Sequence, residues 1–225
     1  MCCYHRRHIA GEYVFDTATT RMIYQQLLKK FPIISHQVDE PELAVILHEL
    51  EKILQMDRRG SVVEFGCYTG TTSLFIRRLL DAYQVTSEYH VYDSFEGLPE
   101  KSGPDRSVMG EQFVAGELRA TKKELLMNFK KAHLTPPIIH KGWFSQVAAH
   151  EVPDSIQFAF LDGDYFESIR DSLVLVTPRL APGAIIVVDD YANEALPGAA
   201  LAVDEWRRTH PCRLRVQASL GVITT

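Results

Sequence analysis

Four aspartates that follow two apolar segments are the residues of this sequence best suited to hold a cation and to move a proton. Asp162 and Asp164 follow one short β-rich segment, and Asp189 and Asp190 follow another. Carboxylates held together raise one another's pKa and weaken the fold, so such a cluster persists most easily around a cation. Oxygen donors favour Mg²⁺, Mn²⁺ or Ca²⁺ over Zn²⁺. The alternative is that these acids face solvent or cap the helices that follow.

A glycine-containing loop between an apolar segment and a helical pattern is a candidate ligand-binding turn. Its glycines allow a tight turn and a close approach to a ligand, and the N–H groups that begin the next helix favour a carboxylate. The acid that opens the loop can face an ammonium group. The spacing is not the dinucleotide pattern G-x-G-x-x-G, and simple turn chemistry is the alternative. The candidate cofactor residues are Glu64, Gly66, Cys67, Tyr68, Thr69, Gly70 and Ser73.

Asp93 ends the next β-rich segment, where an acid typically accepts hydrogen bonds from ribose hydroxyls. Two acids on neighbouring strands, without a pyrophosphate loop, indicate an adenosine ligand such as S-adenosylmethionine. The alternative is that Asp93 caps the following turn through Ser94 and Phe95.

These two ends of the predicted site suggest methyl transfer to oxygen. A hydroxyl beside a divalent metal becomes more acidic, and a nearby carboxylate can take its proton. The oxygen then attacks the methyl group of a sulfonium in line, aided by proximity and by the removal of water. The predicted partner is therefore a small-molecule hydroxyl acceptor.

Alternating β-rich and helical patterns predict an α/β fold with a mostly parallel, seven-stranded sheet that helices cover on both faces. Ligands of such sheets bind at the carboxyl ends of the strands. A turn is expected at Pro182-Gly183, and a long loop over residues 99–116. The predicted strands are residues 61–65, 89–92, 137–140, 156–161, 184–188, 213–217 and 222–225. The predicted helices beyond residue 60 are residues 72–83, 122–132, 167–180 and 197–209.

The first part of the chain is predicted to be helical. One helical pattern covers residues 17–30, and a second begins after Asp39, which with Glu42 has the spacing of a capping box. We expect residues 1–56 to form a helical extension and residues 57–225 to form the cofactor-binding domain. The extension either packs on the core or also covers the active site as a lid.

Composition excludes several classes of function. The formal net charge is −5, which does not favour nucleic acid as a partner. No apolar run is long enough to cross a membrane, and the start has no signal-peptide core. Four cysteines without a disulfide pattern favour a reducing cytoplasm. A metal cluster of Cys2, Cys3, His5 and His8 is not expected from their spacing.

Several motifs together resemble the macrocin O-methyltransferase family, which methylates sugar hydroxyls of natural products with S-adenosylmethionine and magnesium. They span residues 61–206, in the family's order. The motifs are VVEFGCYTGTTSL, YDSFEGLPE, KGWFSQ, LDGDYFES, PRLAPGAIIVVDDY and PGAALAVDEW.

The resemblance implies a Rossmann-like class I methyltransferase fold and a role for each matching residue. Asp164 would be the general base, and Trp143 and Phe144 would lie near the cofactor, beside Asp93, Ser94 and Asp162. The implied metal ligands are Asp162, Asp189 and Asp190. Residues before 57 do not align with the family, so the natural acceptor stays undetermined.

Two other functions remain open. A catechol or caffeoyl-coenzyme A type O-methyltransferase shares fold, cofactor and metal, although those enzymes usually carry Asp-Asn where this chain has Asp189-Asp190. A non-catalytic S-adenosylmethionine-binding protein is the second. His36, His140 and His210 are alternative bases, and homo-oligomer formation is left open.

Overall fold

Seven strands form one sheet in the order β3-β2-β1-β4-β5-β7-β6. The computed structural model describes residues 22–56, 60–109 and 113–225. Strands β1 to β5 pair in parallel, and β7 runs antiparallel between β5 and β6. The predicted α/β fold with a mostly parallel sheet is confirmed. The strands are β1 Ser61–Phe65, β2 Tyr89–Asp93, β3 Ile138–Lys141, β4 Ile156–Leu161, β5 Leu180–Val188, β6 Arg213–Gln217 and β7 Leu220–Thr224.

In the part of the chain that the structure describes, six α-helices surround the sheet. They are α1 Ile23–Lys30, α2 Glu40–Gln55, α3 Thr71–Ala82, α4 Lys122–Lys131, α5 Phe166–Val176 and α6 Pro197–Arg207. The capping box predicted for α2 is present, with the Asp39 and Glu42 side chains each accepting a hydrogen bond from the other's backbone N–H group. Residues 17–21 of the first predicted helix lie outside the described residues, as do Cys2, Cys3, His5 and His8.

The boundary between α5 and β5 differs from the prediction. The helix predicted to reach residue 180 ends at Val176, because Pro178 cannot continue an α-helix and a short 3₁₀ turn replaces it. The turn predicted at Pro182-Gly183 is wrong, because both residues lie within β5. The β4–β5 pairing shifts register in this region, and that irregularity accommodates the two residues.

The central strands are apolar because helices cover both of their faces. Every residue of β1 and β4 is buried. The leucines of α2, Leu47 and Leu50 among them, belong to the same buried cluster as Val62 of β1. Residues 22–56 therefore pack on the core, and the division of the chain at residue 56 remains a prediction. None of the helices in the described residues has the length and apolar character that crossing a bilayer requires.

A buried carboxylate holds α1 against α2. Glu51 of α2 accepts hydrogen bonds from the backbone N–H groups of Ile23 (2.7 Å) and Tyr24 (2.9 Å), and from the hydroxyl of Tyr83 (2.6 Å). A charged acceptor at a helix start satisfies N–H groups that have no partner within the helix. Glu51 thereby joins α1 and α2 to the end of α3, where Tyr83 is the C-cap residue.

Candidate active site

A cavity of about 360 Å³ opens at the carboxyl edge of the sheet. Residues at the ends of four neighbouring strands line it: Gly66 after β1, Asp93 at the end of β2, Asp162 after β4 and Asp189 after β5. Because parallel strands end on the same side, residues far apart in sequence meet here. The edge predicted from sequence to bind ligands is the edge that carries this cavity.

The loop after β1 depends on glycine for its shape. Gly66 has φ +87°, and a Cβ atom there would lie 1.8 Å from the carbonyl oxygen of Asp162. Gly70 has φ +89°, and a Cβ atom there would lie 2.3 Å from Cδ1 of Leu125. Only glycine fits both the left-handed backbone and the space at these two points. Strand β1 can thus turn into α3 directly beside the end of β4.

Asp93 anchors this loop. Its Oδ2 atom accepts hydrogen bonds from the backbone N–H groups of Cys67 (2.9 Å) and Tyr68 (3.3 Å), and its Oδ1 atom accepts one from Phe95 (2.6 Å). The alternative considered from sequence, a turn-capping role, is therefore present in the structure. Asp93 also lines the cavity, together with Ser94, and carboxylate oxygens retain lone pairs for further donors.

Glu64 lies beneath the loop and does not line the cavity. Its side chain is fully buried, and its Oε2 atom accepts hydrogen bonds from the hydroxyls of Ser73 (2.7 Å) and Tyr89. Its Oε1 atom has no hydrogen-bond partner among the described residues. Burial raises the pKa of Glu64 to about 7, although the two hydroxyls act in the opposite direction.

The predicted cofactor residues thus divide into two groups. Four of them support the loop without lining the cavity: Glu64, Thr69, Gly70 and Ser73. The other eight line it: Gly66, Cys67, Tyr68, Asp93, Ser94, Trp143, Phe144 and Asp162.

Aromatic stacking positions the wall that follows β3. The ring of Phe144 contacts the ring of Phe65 edge to face, with centroids 5.2 Å apart. Phe65 in turn stacks on Tyr92, with centroids 4.3 Å apart and planes 9° apart. Phe144 is therefore fixed by residues of β1 and β2. Trp143, its neighbour, also lines the cavity.

Three of the four acidic residues after β4 and β5 lie close together. One carboxylate oxygen from each of Asp162, Asp164 and Asp190 lies within 4.8 Å of the others. Asp189 lines the same cavity but lies outside this group of three, and its Oδ1 atom accepts a hydrogen bond from the backbone N–H group of Asp190 (2.9 Å).

Burial raises the pKa of each of the four aspartates after β4 and β5, and repulsion from nearby acids raises it further. Burial is the largest cause for Asp162, Asp164 and Asp189, whose pKa values lie well above the usual range, and neighbouring aspartates raise them further. Burial raises the pKa of Asp190 to about 6, although a hydrogen bond from Asn193 acts in the opposite direction. These groups are therefore poorly stabilised as anions by the protein alone.

Backbone geometry and one amide group orient the cluster. Asp164 has φ +59° and Asp190 has φ +57°, a left-handed conformation that is uncommon outside glycine but is more frequent for aspartate. The Nδ2 atom of Asn193 donates a hydrogen bond to Oδ1 of Asp190 (2.8 Å). Strained residues of this kind concentrate at functional sites.

Apart from His36, sequence reasoning did not identify the residues that form the rest of the cavity. His36, Gln37, Asp39 and Glu42 reach it from the segment before α2 and from its first turn. Asp39 and Glu42 were recognised only as helix caps, since a cap signal does not say what the helix start faces. Of the three candidate histidines, His36 lines the cavity, and neither His140 nor His210 does. Further lining residues are Gly97, Leu98, Pro99, Phe113, Leu118, Gly163, Ser168, Asn193 and Leu196.

The sequence is similar to enzymes that methylate oxygen. The model of the macrocin O-methyltransferase (TylF) family matches residues 32–219, so the prediction that residues before 57 do not align with the family is wrong for residues 32–56. The chain is 30% identical over 174 residues to 8-demethyl-8-(2,3-dimethoxy-alpha-L-rhamnosyl)-tetracenomycin-C 4'-O-methyltransferase of Streptomyces olivaceus, covering 74% of this chain and 67% of that protein. It is 28% identical over 189 residues to mycinamicin III 3''-O-methyltransferase of Micromonospora griseorubida, covering 80% and 73%.

Solved structures share the fold. The O-methyltransferase NovP matches with a TM-score of 0.74 at 24% identity, covering 91% of this chain and 88% of that chain. The calicheamicin methyltransferase CalS11 matches with a TM-score of 0.70 at 18% identity, covering 100% and 99%. At these identities the likeness concerns the arrangement of strands and helices.

Proposed function

Since this chain belongs to the macrocin O-methyltransferase family, we propose that it transfers the methyl group of S-adenosylmethionine to a sugar hydroxyl of a glycosylated small molecule, with a divalent cation beside that hydroxyl. Membership of this family shows that the chain is an O-methyltransferase. The cofactor contacts, the cation and the acceptor class belong to the proposal.

One observation carries this proposal. The glycine loop with Asp93 and the cluster of Asp162, Asp164 and Asp190 line a single cavity. A cofactor on the loop would therefore lie beside an acceptor held at the acids. Placing two reactants in one site removes much of the entropic cost of their encounter.

The cofactor is assigned to the loop end of the cavity. Asp93 would accept hydrogen bonds from the ribose hydroxyls, while the backbone of Gly66 and Cys67 approaches the amino acid portion. Trp143 and Phe144 would flank the adenosyl group with their rings. Glu64, whose carboxylate is held by Ser73 and Tyr89, supports the loop from below.

The acid end fits a hard divalent cation such as Mg²⁺. The candidate ligand atoms there are all carboxylate oxygens, which suit Mg²⁺, Mn²⁺ and Ca²⁺. The raised pKa values of the cluster point the same way, because a cation would offset the repulsion between these groups. Asp162, Asp189 and Asp190 would hold it, and when bound it makes a neighbouring hydroxyl more acidic.

Asp164 is the proposed general base. It lies beside Asp162 and Asp190, so it can reach a hydroxyl held at the same point. Burial and the charge of Asp190 raise its pKa, which favours proton uptake. The acceptor oxygen forms a bond to the methyl carbon, the carbon–sulfur bond breaks, and its electron pair returns to sulfur. The products are the methyl ether, S-adenosylhomocysteine and a proton on Asp164.

The relatives support a glycoside as acceptor. The Streptomyces olivaceus and Micromonospora griseorubida proteins are named for methyl transfer to glycosylated natural products. We expect purified protein with S-adenosylmethionine and Mg²⁺ to produce S-adenosylhomocysteine and an acceptor heavier by one methylene group when it is offered a panel of rhamnosides. A panel of catechols should give neither product. Tight cofactor binding without turnover on any acceptor would instead support the non-catalytic alternative.

A further inference from the structure

The turn that carries Asp164 is strained. The backbone N–H group of Tyr165 donates a hydrogen bond to the carbonyl oxygen of Gly163 (2.6 Å), which closes a three-residue turn around Asp164. The φ of Asp164 is +59°. A turn of this kind with a positive central φ is rare, and it persists only where surrounding contacts hold it. Those contacts therefore determine where the Asp164 carboxylate lies.

One of these contacts comes from the loop between β2 and α4. Helix α5 begins at Phe166, two residues after Asp164, and the N–H group of Phe166 donates a hydrogen bond to Oδ1 of Asp105 (2.6 Å). Asp105 ends a short 3₁₀ turn, Gly103–Asp105, and is buried. A carboxylate at this place satisfies a helix-start N–H group that has no partner within the helix. Asp105 thus caps α5 from a loop that lies 61 residues earlier in the sequence.

Asp105 is itself held on two further sides. Its Oδ2 atom accepts hydrogen bonds from the backbone N–H group (3.0 Å) and the hydroxyl (2.5 Å) of Ser102. A Cβ atom at Gly198 of α6 would lie 1.9 Å from its Oδ1 atom, so α6 leaves the carboxylate no room to move in that direction. The Asp105 carboxylate is therefore fixed between its own loop and α6, and its hydrogen bond to Phe166 passes this fixed position on to the start of α5.

A second contact attaches the same turn to the same loop. Tyr165 is buried, and its hydroxyl donates a hydrogen bond to the carbonyl oxygen of Phe113. The Tyr165 ring also belongs to a buried cluster with Leu98 and Leu196, against which Phe113 packs. The two residues that follow Asp164 in sequence are thus both tied to the loop between β2 and α4.

We propose that Asp105 is a positioning residue for the base, and that it holds the Asp164 turn from this loop with Tyr165 as the second attachment. This proposal rests on the methyl transfer proposed above, in which Asp164 takes the proton of the acceptor hydroxyl. Asp105 does not line the cavity, so it acts through the turn. Phe113, on the same loop, does line it, so the loop that borders the acceptor also places the base. A displacement of about 1 Å can lower a catalysed rate about 10²-fold.

Single-turnover methyl transfer at saturating acceptor and cofactor tests the role of Asp105. Asp105→Ala removes the hydrogen-bond acceptor of the Phe166 N–H group, so the rate should fall about 10- to 100-fold while the affinity for S-adenosylmethionine stays unchanged. Asp105→Asn keeps an oxygen for that N–H group and should retain the rate within about fivefold. Ser102→Ala is the matched control, since it leaves the hydrogen bond between Asp105 and Phe166 in place. Leu79→Ala, in the buried part of α3 and away from the cavity, should lower stability without lowering the rate.

Tyr165→Phe tests the second attachment. The variant keeps the ring in its buried cluster and removes only the hydroxyl that binds the Phe113 carbonyl. It should lower the rate about three- to tenfold in the otherwise unchanged protein and add little to Asp105→Ala, because residues that hold one turn are coupled. Rate losses that simply multiply in the double variant would overturn the shared role of the two residues.

Amide hydrogen exchange, followed by nuclear magnetic resonance, tests the proposal without turnover. The N–H groups of Tyr165 and Phe166 should exchange faster in Asp105→Ala than in Leu79→Ala, and at the wild-type rate in Asp105→Asn. Unchanged exchange in Asp105→Ala, or an unchanged rate of methyl transfer, would overturn the inference and leave the proposed function intact. Absence of methyl transfer by the wild type to every acceptor would count against the proposed function, and the exchange rates would still decide whether Asp105 holds the turn.

Discussion

At the scale of single residues, the site contains clustered aspartates whose negative charges a cation would offset. Asp162, Asp164 and Asp190 approach one another closely, and burial raises the pKa of each. A protein keeps such a group only where it serves a purpose, because isolated buried carboxylates destabilise the fold. In the proposed mechanism three of the four aspartates bind the cation and the fourth, Asp164, accepts the proton.

Replacing Asp164 tests its proposed role as the base. Asp164→Asn keeps the shape of the side chain but cannot take a proton, so the rate of methyl transfer should fall about 10²- to 10⁴-fold. Affinity for S-adenosylmethionine and for Mn²⁺ should change little. Single-turnover kinetics and calorimetry measure these quantities, with the exposed Asp154→Asn as the control. An unchanged rate would remove Asp164 from the role of base.

Asn193 provides a test that does not depend on turnover. Its hydrogen bond to Asp190 (2.8 Å) lowers the pKa of that carboxyl and orients it. Asn193→Ala should therefore weaken Mn²⁺ binding about 10- to 100-fold, the usual effect of losing a group that supports a ligand. Electron paramagnetic resonance can follow free Mn²⁺, with the exposed neighbour Glu194→Ala as control. Equal affinity in both variants would contradict a cation at Asp190.

The site residues that could be predicted from sequence are those at strand ends, because the ends of parallel strands lie together at one edge of the sheet. Asp93, Asp162 and Asp190 belong to this class. Gln37 and Asp39 could not be predicted, since their place at the cavity depends on how α2 packs against distant elements. The burial of Glu64 away from the cavity was likewise not evident from its position at the end of β1.

At the scale of elements, the junction between the ends of β1 and β4 holds the two halves of the site together. Gly66 forms this junction, because a Cβ atom there would lie 1.8 Å from the carbonyl oxygen of Asp162. The same contact links the cofactor loop to an acid of the cluster. Any side chain at this position would separate the two strands.

Gly66→Ala should therefore destabilise the protein and abolish cofactor binding. The methyl group would overlap the Asp162 carbonyl and would also impose a left-handed backbone on alanine. Gly116→Ala separates these effects, since Gly116 has φ +83° but nothing within 4 Å of an added Cβ. Chemical denaturation should show a loss of about 1–2 kcal/mol for Gly116→Ala, from backbone strain alone, and a clearly larger loss for Gly66→Ala. Equal losses would contradict the close contact.

Most elements were predictable because apolar patterns and capping residues are local. The exception, the boundary between α5 and β5, shows where local patterns fail. Pro178 ends the helix early, while Pro182 and Gly183 lie within β5, where the pairing with β4 shifts register and Gly183 has φ +71°. The residues with which a strand pairs cannot be predicted from the sequence of that strand alone.

At the scale of the whole molecule, the buried Glu64 makes stability depend on pH. Its folded pKa of about 7 lies above the ordinary value of 4.5, so the folded state favours the protonated form. This contribution is fully present below the unfolded pKa and is lost as pH rises through about 7. The raised pKa values of the acid cluster change stability with pH in the same direction. A variant of Glu64 is therefore needed to isolate the contribution of this residue.

Glu64→Gln should flatten the pH dependence of the free energy of unfolding between pH 5 and 8. The wild type should lose up to about 3 kcal/mol more than the variant over this interval, because each unit of pKa shift corresponds to about 1.4 kcal/mol. Urea denaturation of both proteins at several pH values measures the difference. Parallel curves would show that Glu64 is ionised in the folded protein.

The dependence of methyl transfer on a divalent cation tests the central claim most directly. S-adenosylhomocysteine formation from a rhamnoside acceptor is measured after removal of metal with a chelator, and again as Mg²⁺ is added back. We expect turnover to vanish without metal and to return with added Mg²⁺, while cofactor binding persists throughout. A full rate in excess chelator would contradict the account of the acid cluster.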